Sequence, residues 1–145
     1  MFPFNIQGEI TLPSIAPGQV PIYLSQVERA AGEKRACNIR KTESLVTFRG
    51  GMFRLVMNWN IFVPITRGII EVLPGTPGVV RYYFSCTEML ITVSVMVAIF
   101  AFCLLQPGLS TLGVVLPIVA WLWLFGMNYA TAAFRLPGFV REALR

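Results

Sequence analysis

The side chains best suited to covalent chemistry in this chain are three cysteines, Cys37, Cys86 and Cys103, and no histidine is present to serve them as a base. Histidine is the commonest general base, the commonest metal ligand and the usual axial ligand for haem, so its absence removes most catalytic and metal-binding templates. The cysteines form no close pair, which gives neither a disulfide framework nor a zinc site. As a nucleophile, Cys86 or Cys103 lacks both a base and a cationic neighbour in sequence to favour its thiolate. The glycine-bearing runs Gly50-Gly51 and Pro74-Gly75-Thr76-Pro77-Gly78 lack the strand-to-helix context and the Lys-Ser/Thr pairing of a phosphate loop. The chain therefore reads as a non-enzyme with no cofactor of its own.

What the residue types offer instead is packing. Gly126, Ala130 and Ala133 recur at spacings of four and three, a small-residue face that lets two helix backbones approach closely. Trp121 and Trp123 fall in the middle of the same apolar segment, away from the interfaces where tryptophan is enriched. A buried indole seeks an acceptor, which points these rings at a partner chain, at lipid or at a hydrophobic pigment held by a partner. Asn128 is the expected interhelical hydrogen-bonding residue, because Thr92, Ser94 and Thr131 can satisfy themselves on their own helix backbone.

Helices must hold these residues, and the charge pattern says where. Only 13% of the 145 residues are charged, 55% are hydrophobic, and residues 89–134 contain no ionisable acid or base of the Asp, Glu, Lys or Arg type. A soluble domain carries about a quarter charged residues. About 20 residues cross a hydrocarbon core of roughly 30 Å, so the uncharged run fits two crossings, over about 87–105 and 111–134. Between them Gln106-Pro107-Gly108 stops one helix, and Ser110 or Thr111 caps the next. Ser85-x-x-Glu88 has the spacing of a capping box at the start of the first span, behind the interfacial aromatics Tyr82, Tyr83 and Phe84. Pro117 is expected to kink the second span.

All twelve Lys and Arg residues lie outside the turn, which by the positive-inside tendency places both termini in the cytoplasm. Neither span carries the ionisable residue that would mark a proton relay, an ion-coupled carrier or a voltage sensor. The net charge of +5 comes mostly from bases flanking the membrane, so no nucleic-acid partner is expected. The opening residues have no basic n-region or apolar h-region, so no cleaved signal peptide is expected.

Outside the membrane, residues 1–44 read as an extended, proline-bearing arm with a short strand near 9–12, a helix over 22–31 ending at Gly32, and a basic linker. Residues 45–84 read as a four-stranded antiparallel meander. Its strands fall over 45–48, 53–63, where odd positions are apolar, 69–73 and 79–84, with Gly50-Gly51 joining the first two. Residues 85–134 form the transmembrane hairpin. After a helix break at Leu136-Pro137-Gly138, residues 135–145 form a short interfacial tail whose arginines lie beside anionic headgroups. The expected class is thus an α+β membrane protein: a small antiparallel sheet followed by a two-helix hairpin. So small a sheet needs a covering layer. Together these features fit an accessory or structural subunit packed laterally on a larger integral membrane complex, in contact with lipid. The alternative is self-assembly of identical hairpins into a homo-oligomer acting as scaffold or passive pore.

Overall fold

A computed structural model describes residues 4–50, 62–104 and 112–145. Five strands, β1 (Asn5–Leu12), β2 (Cys37–Lys41), β3 (Leu45–Arg49), β4 (Arg67–Leu73) and β5 (Gly78–Ser85), form one antiparallel sheet in the order β1-β5-β4-β3-β2. Helix α1 (Val20–Glu33) lies between β1 and β2 in sequence. Helix α2 (Thr87–Leu104) leaves the end of β5. Helix α3 (Leu112–Trp121), a π-helical turn over Leu122–Gly126, and α4 (Met127–Ala143) then follow without a break.

Alternation builds the sheet's buried face. On β3, β4 and β5, Val46, Phe48, Ile70, Val72, Val80 and Phe84 are buried, while their neighbours face outward. The inner face is covered by Val20, Leu24, Val27 and Ala31, at spacings of four, three and four along α1. Gly68 is required by this packing, because a Cβ there would overlap the Phe48 ring.

Several expectations are corrected. The N-terminal arm is not a loose cover. It is an eight-residue strand that pairs with β5 from Asn5↔Ser85 to Leu12↔Gly78. The basic linker contributes β2, irregular in register between Cys37 and Arg40, so that with β1 the sheet counts five strands among the described residues. Strand β3 pairs with β4, where a hairpin to 53–63 was expected. Of that expected strand and of Gly50-Gly51, residues 51–61 lie outside the described residues. Phe62–Pro64 form a turn, closed by the Ile65 amide donating to the Phe62 carbonyl at 3.2 Å. Helix α1 runs past Gly32 and closes with Arg35 in the left-handed region (φ 59°). There the Ala36 amide reaches the Ala31 carbonyl and the Arg35 amide the Gly32 carbonyl, a Schellman closure.

The tail is the largest correction. Residues 135–145 do not lie as a separate interfacial segment. Helix α4 continues through Pro137 and Gly138, and Leu136, Phe139, Val140, Ala143 and Leu144 are buried. A mid-helix proline costs ~3 kcal/mol. Burying a Leu, Phe or Val side chain contributes about 1.5–3 kcal/mol each, so three such residues outweigh the break. Phe139 meets Phe62 edge-on with centroids 5.0 Å apart.

Among the described residues one helix is long and apolar enough to cross a membrane, Val115–Ala143, 29 residues. The apolar helix Thr87–Cys103 is shorter, and the turn expected over 106–111 lies outside the described residues. The architecture is thus α+β, a small antiparallel sheet with a C-terminal apolar helix.

Candidate functional site

The residues singled out for packing all fall on the continuous helix after Leu112. Trp121 closes α3, with its ring 5.0 Å from that of Phe125 at 30°, and its indole Nε1–H donates to Ser94 Oγ on α2 at 3.0 Å. The expected acceptor therefore belongs to the chain itself. Ser94 is the interhelical residue, against the expectation that serine would bond its own helix. Asn128, expected in that role, donates from Nδ2 to the Leu124 carbonyl one turn back at 2.6 Å. The exchange has a geometric reason. Asn128 sits just after the π-helical turn and is exposed, so its nearest acceptor is the backbone of its own helix.

Trp123 is 67% exposed and makes no hydrogen bond among the described residues. The small residues divide as well. A Cβ at Gly126 would meet nothing within 4 Å, Ala130 is half-buried, and Ala133 packs partly against the core. The buried small residues of α4 are Ala132 and Ala143, part of the inward stripe Phe125, Ala132, Leu136, Phe139 and Ala143. Gly126 is thus half-buried, with open space where a side chain would stand.

One cluster went unread in the sequence. Phe4, just before β1, packs edge-on against Phe125 (4.9 Å, 89°) and Tyr129 (6.0 Å, 88°), and Phe125 stacks on Tyr129 at 5.8 Å. These rings tie the N-terminal strand to the long helix where the π-helical turn ends. Spacings of four, three and four through 125, 129, 132 and 136 were its signal along the helix. Phe4 had no local signal, because its contact spans the whole chain.

Helix α2 is anchored to the sheet by hydroxyls. The Glu88 amide donates to Thr66 Oγ1 at 2.7 Å, and the Thr66 amide donates to the Ser85 carbonyl at 2.7 Å. Ser85 Oγ shares a hydrogen bond with Thr87 Oγ1 (2.7 Å), so the cap that the Ser85-x-x-Glu88 spacing promised is supplied by Thr66. No family model matches this chain, and no curated protein or solved structure resembles it.

The thiols occupy three different settings. Cys86 is fully buried between β5 and α2, and burial pushes its thiol up to about 11, so it stays protonated at neutral pH. Cys37 is exposed on the edge strand β2, and Cys103 is exposed on α2. Among the described residues no group of three His, Cys, Asp or Glu comes together to hold a metal.

The remaining surface feature is apolar. Large side chains on α2 and on the long helix stand outward, among them Ile91, Ile99, Phe102, Ile118, Trp123 and Phe134. Phe102 and Phe134 are 80% and 86% exposed, whereas the inner face of the sheet is sealed. A surface of this kind interacts with hydrocarbon or with another apolar protein surface.

Proposed function

We propose that this chain is a non-catalytic accessory or structural subunit that packs laterally on a larger integral membrane complex through a two-span hairpin. The observation that carries the reading is the outward apolar surface shared by α2 and the long helix, set directly beside a well-packed sheet domain. Contiguous apolar surface on a monomer marks contact with a membrane or a protein.

Two crossings fit the lengths. The 18 residues of α2 rise about 27 Å at 1.5 Å per residue, close to the hydrocarbon thickness, and Val115–Ala143 exceeds it. Every lysine and arginine lies on the sheet side of the proposed hairpin, which favours cytoplasmic termini. Association with a larger complex is supported by Gly126, which has open space above its Cα beside exposed Trp123, where a second helix backbone can approach.

Alkaline carbonate washing of membranes, followed by mild-detergent extraction, tests the reading. The chain is expected to stay in the pellet and then to co-migrate with one larger assembly. Release by carbonate overturns the membrane reading, and a ladder of multiples of 16.2 kDa replaces the accessory role by self-assembly. Orientation is tested separately with a membrane-impermeant maleimide on Cys37, which is exposed on β2. Labelling is expected only after the cytoplasmic side is opened, and labelling in intact cells overturns the orientation.

A further inference from the structure

The outer face of the sheet treats its charges in two ways. In one row, Arg81 stands between Glu9 and Glu71 across β1, β5 and β4, and its Nε lies 2.7 Å from Glu9 Oε1. Four residues further along β5, beside the start of α2, the row reads Arg49, Arg67, Ser85. Arg49 and Arg67 are directly opposed on β3 and β4, a like-charge cross-strand pair that destabilises a sheet when nothing neutralises it. Neither has an ion pair among the described residues.

Both arginines line a groove of about 290 Å³ with Arg40, Asn38 and Thr47. Arg40 is brought there by its pairing with Thr47, and Asn38 by the irregular register of β2, where its φ is 50°. Among the described residues no carboxylate lines this groove, although the same face pairs its acids and bases elsewhere. Three guanidinium groups with an amide and a hydroxyl form a donor set for a tetrahedral oxyanion, since guanidinium forks match phosphate geometry. The groove also has a depth. Arg67 is cross-strand neighbour to Ser85, two residues before α2, and Thr66 binds the α2 amide at Glu88.

We propose that this groove binds the phosphate of an anionic phospholipid headgroup. The assignment rests on the membrane reading above. If α2 enters the bilayer, the row of Arg49 and Arg67 lies at headgroup level, where anionic lipid concentrates near basic side chains. The bound phosphate then neutralises the like-charge pair and joins β2, β3 and β4 to the leaflet.

The full-length chain in mild detergent, followed by tryptophan fluorescence during thermal unfolding, provides the test. Adding phosphatidylglycerol is expected to raise Tm by several degrees, and phosphatidylcholine is not, because a ligand that binds only the folded state raises Tm. Arg49→Gln with Arg67→Gln is expected to leave the phosphatidylcholine melt unchanged or raised, since repulsion is relieved, and to abolish most of the phosphatidylglycerol shift. Arg49→Lys with Arg67→Lys, which keeps charge and strand packing, is expected to retain part of it. Arg81→Gln on the same face is expected to leave the shift intact. An equal shift in the double Gln variant, or an equal loss in Arg81→Gln, overturns the site. A shift of the same size with inorganic phosphate overturns the lipid assignment in favour of a free anion. The carbonate wash separates the two readings: release of the wild-type chain sinks the membrane reading, whereas an undiminished shift in an inserted variant sinks only this groove.

Discussion

The Trp121–Ser94 hydrogen bond is the one polar side-chain contact between α2 and the long helix among the described residues. Interhelical bonds in apolar surroundings contribute about 0.6 kcal/mol on average and up to ~1.7 kcal/mol. Ser94→Ala and Trp121→Phe are each expected to cost about that much in a denaturant titration in detergent. The double variant should cost less than the sum of the two, because both remove the same bond. Cys86 supplies a pH dependence. Its thiol moves from 9.0 to about 11 on folding, so the folded state disfavours the thiolate. Below pH 9 both states are protonated and the group has no cost. As pH rises from 9 toward 11 the unfolded chain deprotonates first and stability falls, by on the order of 2 kcal/mol. The Cys86→Ala variant should show a shallower decline over that window in melts across pH 8–11, and an identical slope would refute the assignment.

Among the elements, α4 serves two environments. Its first half carries exposed Met127 and Phe134, and its last turns carry Leu136, Phe139 and Val140 into the core beneath the sheet. One helix thus couples the apolar surface to the folded domain. Leu136→Ala is expected to destabilise by about 2–5 kcal/mol, the range for a buried leucine that leaves a cavity. It should lower Tm by circular dichroism, and a change within error would return residues 135–145 to a peripheral role. Existence and type of α1, β3, β4 and β5 were legible from apolar period and turn residues. Strand β2 was hidden, because Cys37–Lys41 has four exposed or charged positions around Ile39 and no alternation. Its strand state comes from hydrogen bonding to β3, an edge position that asks little of side chains.

On the scale of the whole molecule, the proposed role predicts that the contact to a partner and the internal fold are separable. Gly126 touches nothing when given a Cβ, so Gly126→Leu should leave the unfolding free energy within about 0.5 kcal/mol of wild type, as for other surface positions, and Tm nearly unchanged. The same variant is expected to leave the larger assembly during native electrophoresis in mild detergent, because close helix approach is lost while hydrophobicity is kept. Unchanged co-migration would remove Gly126 and Ala130 from the contact surface. A fall in Tm equal to that of a core variant would mean that the face is internal.

Composition and the uncharged stretch over 89–134 were enough to place apolar helices at the C-terminal end and a small sheet before them, because helix and strand periods are local properties of the chain. The small-residue spacing of Gly126, Ala130 and Ala133 was visible in the same way. What the chain alone left open was pairing over distance. Phe4 meets Phe125, Ser94 meets Trp121, Thr66 caps α2, and β1 joins β5 across the length of the domain. The break expected at Pro137 was a local rule outweighed by burial of Leu136, Phe139 and Val140, a gain that exists only once the sheet and α1 are in place. Local rules act within a few residues, whereas apolar area is removed from water only by the assembled core, so the tertiary structure decided where α4 ended and which polar groups met.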